Sequence, residues 1–426
     1  MDVVKKSYYD VTRNIIILTG LSVHHPKWLN FLLKSFTFFT MFSFICVQIA
    51  GLIKEYGNID MVLQCVTPVC YSSMAAILYT NNNLKVKQVI SLNFFFCFLK
   101  INAVFVKMQD DWDTLTSENE AIILHKYGRK CKIFTSIYTC RYFYLKNKLK
   151  YSENSRKIIK FLQLIVYLGH GFFYYLSHGI PMLIIIMRHD DTPKPLMFFI
   201  ECGINLQKYY VVVILYSYIV GYVCSYAIVN GGTILITFLE HACGIFDILG
   251  QKLTTAIKEY PASINKISSR KKLHQEIKLC VAMHRKVLLF INDIQNAFST
   301  SFLLFFGLSA ILLSVTGVQC VMSLKNSGDA CRFGCYVIFQ VFNIFCLTLP
   351  TQHLLDSSLS LSTSIYNADW YHLTSETKQL LIIIMRKGSE PTTFVVGKVF
   401  VLSLQFFTKV LQTSMSYFTV LMSVRE

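Results

Sequence analysis

Residues 294–324 read IQNAFSTSFLLFFGLSAILLSVTGVQCVMSL, thirty-one positions without a single Asp, Glu, Lys or Arg. As a helix rising 1.5 Å per residue this stretch spans about 46 Å, more than the hydrocarbon core of a bilayer, which is roughly 30 Å thick. Outward from it, equally uncharged stretches occupy 35–53, 61–84, 161–187, 209–239 and 333–355, and 399–424 is broken only by Lys409. A weaker run at 88–106 contains Lys100. The expected fold is therefore an all-α membrane protein with seven transmembrane helices. Composition agrees: only 15% of residues are charged, against roughly 25% in a soluble domain, where charge keeps the surface in water.

The formal charge of +17 would point to nucleic acid in a soluble protein. In a membrane protein it sets orientation instead, because loops rich in Lys and Arg stay cytoplasmic. With the N-terminus inside, residues 1–34, 85–160, 240–293 and 356–398 hold 33 Lys and Arg, and the outer segments hold 7. This predicts a cytoplasmic N-terminus and an extracellular C-terminus, the reverse of a G-protein-coupled receptor, so no G protein is expected as partner. No cleavable signal peptide is read, since the first apolar run, Ile15–Leu18, is too short. Between Pro261 and Asn296, Ile264, Ile267, Leu273, Ile277, Val281, Leu288 and Ile291 recur at helical spacing among charges. The fourth and fifth spans are thus expected to extend as helices into a packed cytoplasmic base, about 231–296.

Chemistry-bearing patterns are missing: no P-loop, dinucleotide fingerprint, nucleophile elbow or metalloprotease helix occurs. The expectation is no enzyme, no cofactor and no metal. The spans lack Asp and Glu, which argues against proton-coupled transport. The fourteen cysteines follow no regular spacing; Cys202 and Cys331 are a pair that would both face outside.

Ile365–Trp370 (IYNADW), Lys378–Lys387 (KQLLIIIMRK), Pro391 and Gly397–Val424 together resemble the insect odorant receptor family. HLLDSS at 353–358, HACGIF at 241–246 and DDWDTL at 110–115 resemble its stretches after the sixth span, at the inner end of the fourth, and in the first cytoplasmic loop. The matches keep family order. What the resemblance implies is a tetrameric, odorant-gated, non-selective cation channel in the plasma membrane, with no nucleic-acid partner. The final span would line the pore, and a short segment near 376–386 would form an anchor beneath the membrane. Family members assemble with a longer co-receptor, so this chain looks like the ligand-tuned subunit. Residues 1–355 would form the bundle, and 356–426 the anchor segment with the pore-lining span. A gustatory receptor of the same superfamily is the alternative, although the SYFTVLMSV ending favours the odorant branch.

The runs 91–105 and 141–173 have no counterpart in the resemblance and are read as intron-derived or a gene-model error. The third span would then join about 132–140 to 174–187.

A volatile odorant is small and mostly apolar, so a pocket needs aromatic surface and one or two polar groups. In the outer halves of the spans these are Gln64, Thr67, Cys70 and Tyr71; Tyr174, Tyr175 and His178; Tyr209, Tyr210 and Val213; and Tyr336, Phe339 and Gln340. The same side chains would also serve as bundle packing or an interfacial belt. In the last span the resemblance places Val420 at a hydrophobic gate and Ser423 near the outer mouth. Lys409 either snorkels to the inner interface or faces the inner vestibule.

The asymmetry of Lys and Arg is directly testable. Epitope tags should label in unpermeabilised cells when fused to the C-terminus, and only after permeabilisation at the N-terminus; the opposite pattern would overturn the orientation.

Overall fold

The computed structural model describes residues 7–9, 12, 26–83, 97–115, 117–138, 208–259, 267–325 and 327–425. In chain order these form α1 (Lys27–Lys54), α2 (Ile59–Asn83), α3 (Cys97–Asp113), α4 (Glu118–Tyr138), α5 (Tyr210–Lys258) and α6 (Ile267–Met322). Then come α7 (Ser327–Tyr366), α8 (Ser375–Gly388), a hairpin of β1 (Phe394–Val396) and β2 (Phe400–Leu402), and α9 (Leu404–Arg425). Five of them, α1, α2, α5, α6 and α7, are long and apolar enough to cross a membrane. The apolar stretch 161–187 and the run 141–173 lie outside the described residues.

Helices α5 and α6, at 49 and 56 residues, extend about 74 and 84 Å, far past the thickness of a bilayer core. The amphipathic periodicity after Pro261 is thus the continuation of α6, whose Leu273, Ile277, Cys280, Val287 and Ile291 are buried. Helix α5 runs through the middle of the molecule. Every residue from Asn230 to Phe246 is buried, the pattern of a helix covered on all sides. Helices α2, α4, α6 and α7 pack around it. Close approach depends on Gly232, where an added Cβ would stand 2.5 Å from the Tyr138 ring of α4.

Burial of Glu240 and His241 within this stretch requires partners. Glu240 Oε1 meets His353 Nδ1 of α7 at 3.1 Å, and the His353 ring stacks on Tyr127 of α4 at 5.8 Å. His241 Nε2 lies 3.2 Å from Asp111 of α3, whose other oxygen accepts from Lys286 of α6 at 2.6 Å. Burial raises the Asp111 pKa, but the hydrogen bonds and charges of His241 and Lys286 more than offset it, leaving the carboxyl below its usual range. Lys107 of α3 pairs with Asp293 of α6 in the same region.

Three expectations need correction. Asp110–Asp113 belong to α3 and are helical, not loop, because Met108 and Trp112 have a core to enter. Val104 and Phe105, the end of the run 91–105, are buried in the same helix, and Phe105 meets Phe238 edge-on at 4.6 Å. The fold is helical as expected, but one short hairpin interrupts the approach to the last helix, where the apolar triplets on either side of Gly397–Lys398 pair antiparallel, Phe394 opposite Leu402. The seventh helix consequently starts at Leu404, not at 399. Cys331 is exposed and unbridged; Cys202 lies outside the described residues.

The hairpin turn holds Gly397 at φ +61°, where its N–H donates to Ser299 Oγ at 2.8 Å and an added Cβ would stand 2.4 Å from Leu303. Gly397→Ala should cost about 1–2 kcal/mol from the left-handed backbone alone, more with the clash, and lower the melting temperature in detergent. Gly307→Ala, in open space on α6, should not.

A second expectation concerns pH. A carboxyl with a depressed folded pKa stabilises above its unfolded value, near 3.9, and loses that contribution as pH falls through the folded value. Asp111→Asn should therefore melt lower than the parent at neutral pH, and the gap should close below about pH 4. A gap unchanged at low pH would show that Asp111 does not act through its charge.

Candidate ligand cavity and pore face

Helices α2, α5 and α7 begin, and α6 ends, at the same end of the bundle. About two to five turns in from that end, the four surround a cavity of about 790 Å³, counting the open space at its mouth. Each contributes one face at helical spacing: Thr67, Tyr71 and Met74 from α2, Ser225 and Ile228 from α5, Phe305, Ser309 and Leu312 from α6, and Tyr336, Phe339, Gln340, Asn343 and Ile344 from α7. A smaller space continues from it to Tyr138 of α4, sharing Tyr71, Ile228, Phe339 and Asn343. The walls are mainly apolar, and among the described residues no charged side chain lines either space.

Hydroxyl groups in the wall are bonded to the protein. Tyr71 O–H and Ser225 Oγ are 2.7 Å apart, with Ser225 donating to the Gly221 carbonyl. Thr67 donates to Gln319 Oε1 at 3.1 Å, and Ser309 to the Phe305 carbonyl at 2.7 Å. Tyr138 donates to Asn343 Oδ1 at 3.0 Å.

Of the residues singled out in the sequence, Thr67, Tyr71, Tyr336, Phe339 and Gln340 come together here. Gln64 is exposed and Cys70 buried on another face of α2; Tyr209 caps α5 and Tyr210 and Val213 sit in its first turn, short of the cavity. Tyr174, Tyr175 and His178 lie outside the described residues. The face from α6, with Ser225, Ile228 and Asn343, escaped the sequence reading. Their signal was the spacing i, i+4, i+7 in Phe305, Ser309 and Leu312, which an entirely apolar helix presents on every side.

Helix α9 packs on α6 and α7 through one face. Phe406 meets Phe306 edge-on at 5.2 Å, Phe407 meets Phe345 at 5.5 Å, and Ser314 donates to the Ser414 carbonyl at 2.9 Å. The opposite face carries Lys409, Gln412, Thr413, Ser416, Val420 and Ser423, all exposed.

Residues 132–415 match the model of the family described as 7tm Odorant receptor. The chain belongs to this family. Among its relatives are Odorant receptor Or2 of Anopheles gambiae, 26% identical over 153 residues, and Odorant receptor 13a of Drosophila melanogaster, 26% over 205. These alignments span 36% and 45% of this receptor and only 40% and 48% of the relatives' own lengths. The odorant receptor coreceptor of Anopheles gambiae is 28% identical over 155 residues, 35% of this chain and 31% of that protein. The solved olfactory receptor OR5 of Machilis hrabei, in complex with eugenol, superposes over 100% of both chains with a TM-score of 0.75 at 13% identity, so the two share their fold. The receptor is a multi-pass membrane protein of this fold.

Proposed function

We propose that this receptor is the ligand-tuned subunit of a heteromeric, odorant-gated, non-selective cation channel formed with the odorant co-receptor. The observation that carries this reading is the polar face of α9. A helix among apolar spans that turns Lys409, Gln412, Thr413, Ser416 and Ser423 away from its own bundle needs water on that side, because polar groups within a membrane face either a bundle interior or an aqueous path. In a ring of subunits this face would line a pore. Val420, on the same face and 54% exposed, is the apolar residue that would close the pore by dewetting. Lys409, near the start of α9, would then look into the inner vestibule.

The cavity is the ligand site in this reading. Its walls are mainly apolar with a few convergent polar groups, the character of a small-molecule site. OR5, with the same fold, was solved with the small volatile eugenol. The co-receptor is the partner favoured by family membership, with lipid around the exposed apolar faces. The channel would sit in the plasma membrane of the olfactory neuron dendrite, N-terminus inside and C-terminus outside. It would work without a G protein and without enzymatic chemistry. Helix α8, with Ile382 and Ile383 exposed beside a buried Leu381 and Ile384, presents the apolar surface that an anchor between subunits requires.

Expression with and without the co-receptor, recording currents against a panel of volatiles, tests this reading. Odorant currents should require both chains. Two variants should then separate the two sites. Val420→Ser should wet the constriction, giving current without odorant while the ranking of ligands is kept. Tyr336→Ala removes cavity wall, a loss of about 1–3 kcal/mol of apolar contact, and should shift the half-maximal concentration roughly tenfold to a hundredfold with permeation unchanged. Tyr210→Ala, short of the cavity, should leave the ranking alone. A changed ranking in Val420→Ser with normal basal current would remove α9 from the pore.

A further inference from the structure

Among the described residues, the hydrogen-bond capacity of the cavity leans towards donors. Most strong acceptors in and around it are taken: the carbonyls of Leu63, Gly221 and Phe305 each receive a side-chain proton besides their helical one, from Gln319 Nε2, Ser225 and Ser309. Gln319 Oε1 receives Thr67 and Asn343 Oδ1 receives Tyr138; Gln340 Oε1 stays open, because the nearby Thr316 hydroxyl gives its one proton to the Leu312 carbonyl at 2.7 Å. Two amide NH2 groups remain, on Gln340 and Asn343, three residues apart on the cavity face of α7. Neither has a partner among the described residues. Tyr138 O–H points at Oδ1, which turns the NH2 group elsewhere. The hydroxyl of Tyr336, able to give or accept, does not discriminate between ligand classes.

We infer that the ligand of this cavity is a neutral molecule with an apolar body and a carbonyl-type acceptor, a ketone, aldehyde or ester, held by the NH2 groups of Asn343 and Gln340. This rests on the cavity being the ligand site, as proposed above. A carbonyl oxygen satisfies the amide donors and brings no proton of its own. An alcohol of the same skeleton can also accept from an amide, but at Asn343, whose Oδ1 already receives Tyr138, it brings a proton that must reach Gln340 Oε1 or the Tyr336 oxygen, and a donor left unpaired in an apolar site is costly. An ammonium or carboxylate would be a buried charge with no counter-charge among the described residues of the wall. A plain alkane fills the same volume and leaves both amides unpaired.

The test uses the purified full-length chain and three probes of one skeleton: methyl pentyl ketone, the alcohol formed by reducing it, and heptane. Binding is read as the concentration that raises the melting temperature half-maximally. The ketone should bind about tenfold more tightly than the other two, the factor carried by one unpaired polar group. Asn343→Leu, close in volume, should bring the ketone down to the level of heptane while heptane still binds. Gln340→Leu serves as the second variant should Asn343→Leu fail to fold, and should narrow the same gap. Equal binding of ketone and alcohol by the parent chain would overturn the inference, as would a ketone preference that survives both substitutions. Currents recorded with the co-receptor keep the two readings apart. Ketone-selective binding without current would refute the channel reading alone. Odorant currents that rank the alcohol above the ketone would refute the carbonyl reading alone.

Discussion

Seventeen consecutive residues of α5, Asn230–Phe246, are buried, Glu240 and His241 among them. A buried charge without a partner costs several kcal/mol, so α5 can occupy the centre only if neighbours bring counter-groups to it. They come from three other helices: His353 from α7, Asp111 from α3, and Lys286 from α6 reaching the same carboxylate. These contacts fix the rotation of α3, α6 and α7 about α5 in a way that interchangeable apolar contacts would not. Burial and the Lys387 ammonium depress the pKa of His284, further along α6, which favours its neutral form against Phe246.

The far ends of the helices inherit that arrangement. With α5, α6 and α7 locked at the base and α2 packed on α5 and α6, the four helices leave a space between them where side chains are too few to fill it. Its boundaries are cooperative, since Gly232 lets Tyr138 approach and Tyr138 then orients the Asn343 amide. A glycine on one helix thereby sets the hydrogen-bonding character of a cavity built mostly by others. Helix α9 stands apart from this network. It is held by aromatic contacts on one side only, and the hairpin before it, seated on Ser299 and Gln295 of α6, sets where it starts.

Much of the cavity was legible in advance, through Thr67, Tyr71, Tyr336, Phe339 and Gln340, because polar atoms in an apolar helix are sparse and must face protein or water. The remainder was not. Phe305, Leu312 and Ile344 look the same to a sequence reading whether they face lipid, core or cavity, since all three surroundings are apolar. Tyr209 and Tyr210 passed the same chemical test, and fall short only because the cavity lies several turns deeper along α5.

The sequence by itself determined the number and extent of the apolar stretches, the helical continuation after Pro261, and the family, each of which depends on local composition or on ordered motifs. The tertiary structure alone decided which face of each helix turns inward, that Glu240 and His241 are matched from three helices, that 394–402 folds as a hairpin, and that two amide groups face the cavity unspent. The physical reason is that hydropathy reports whether a residue can leave water, whereas rotation and pairing depend on side chains more than a hundred positions away, such as Asp111 beside His241.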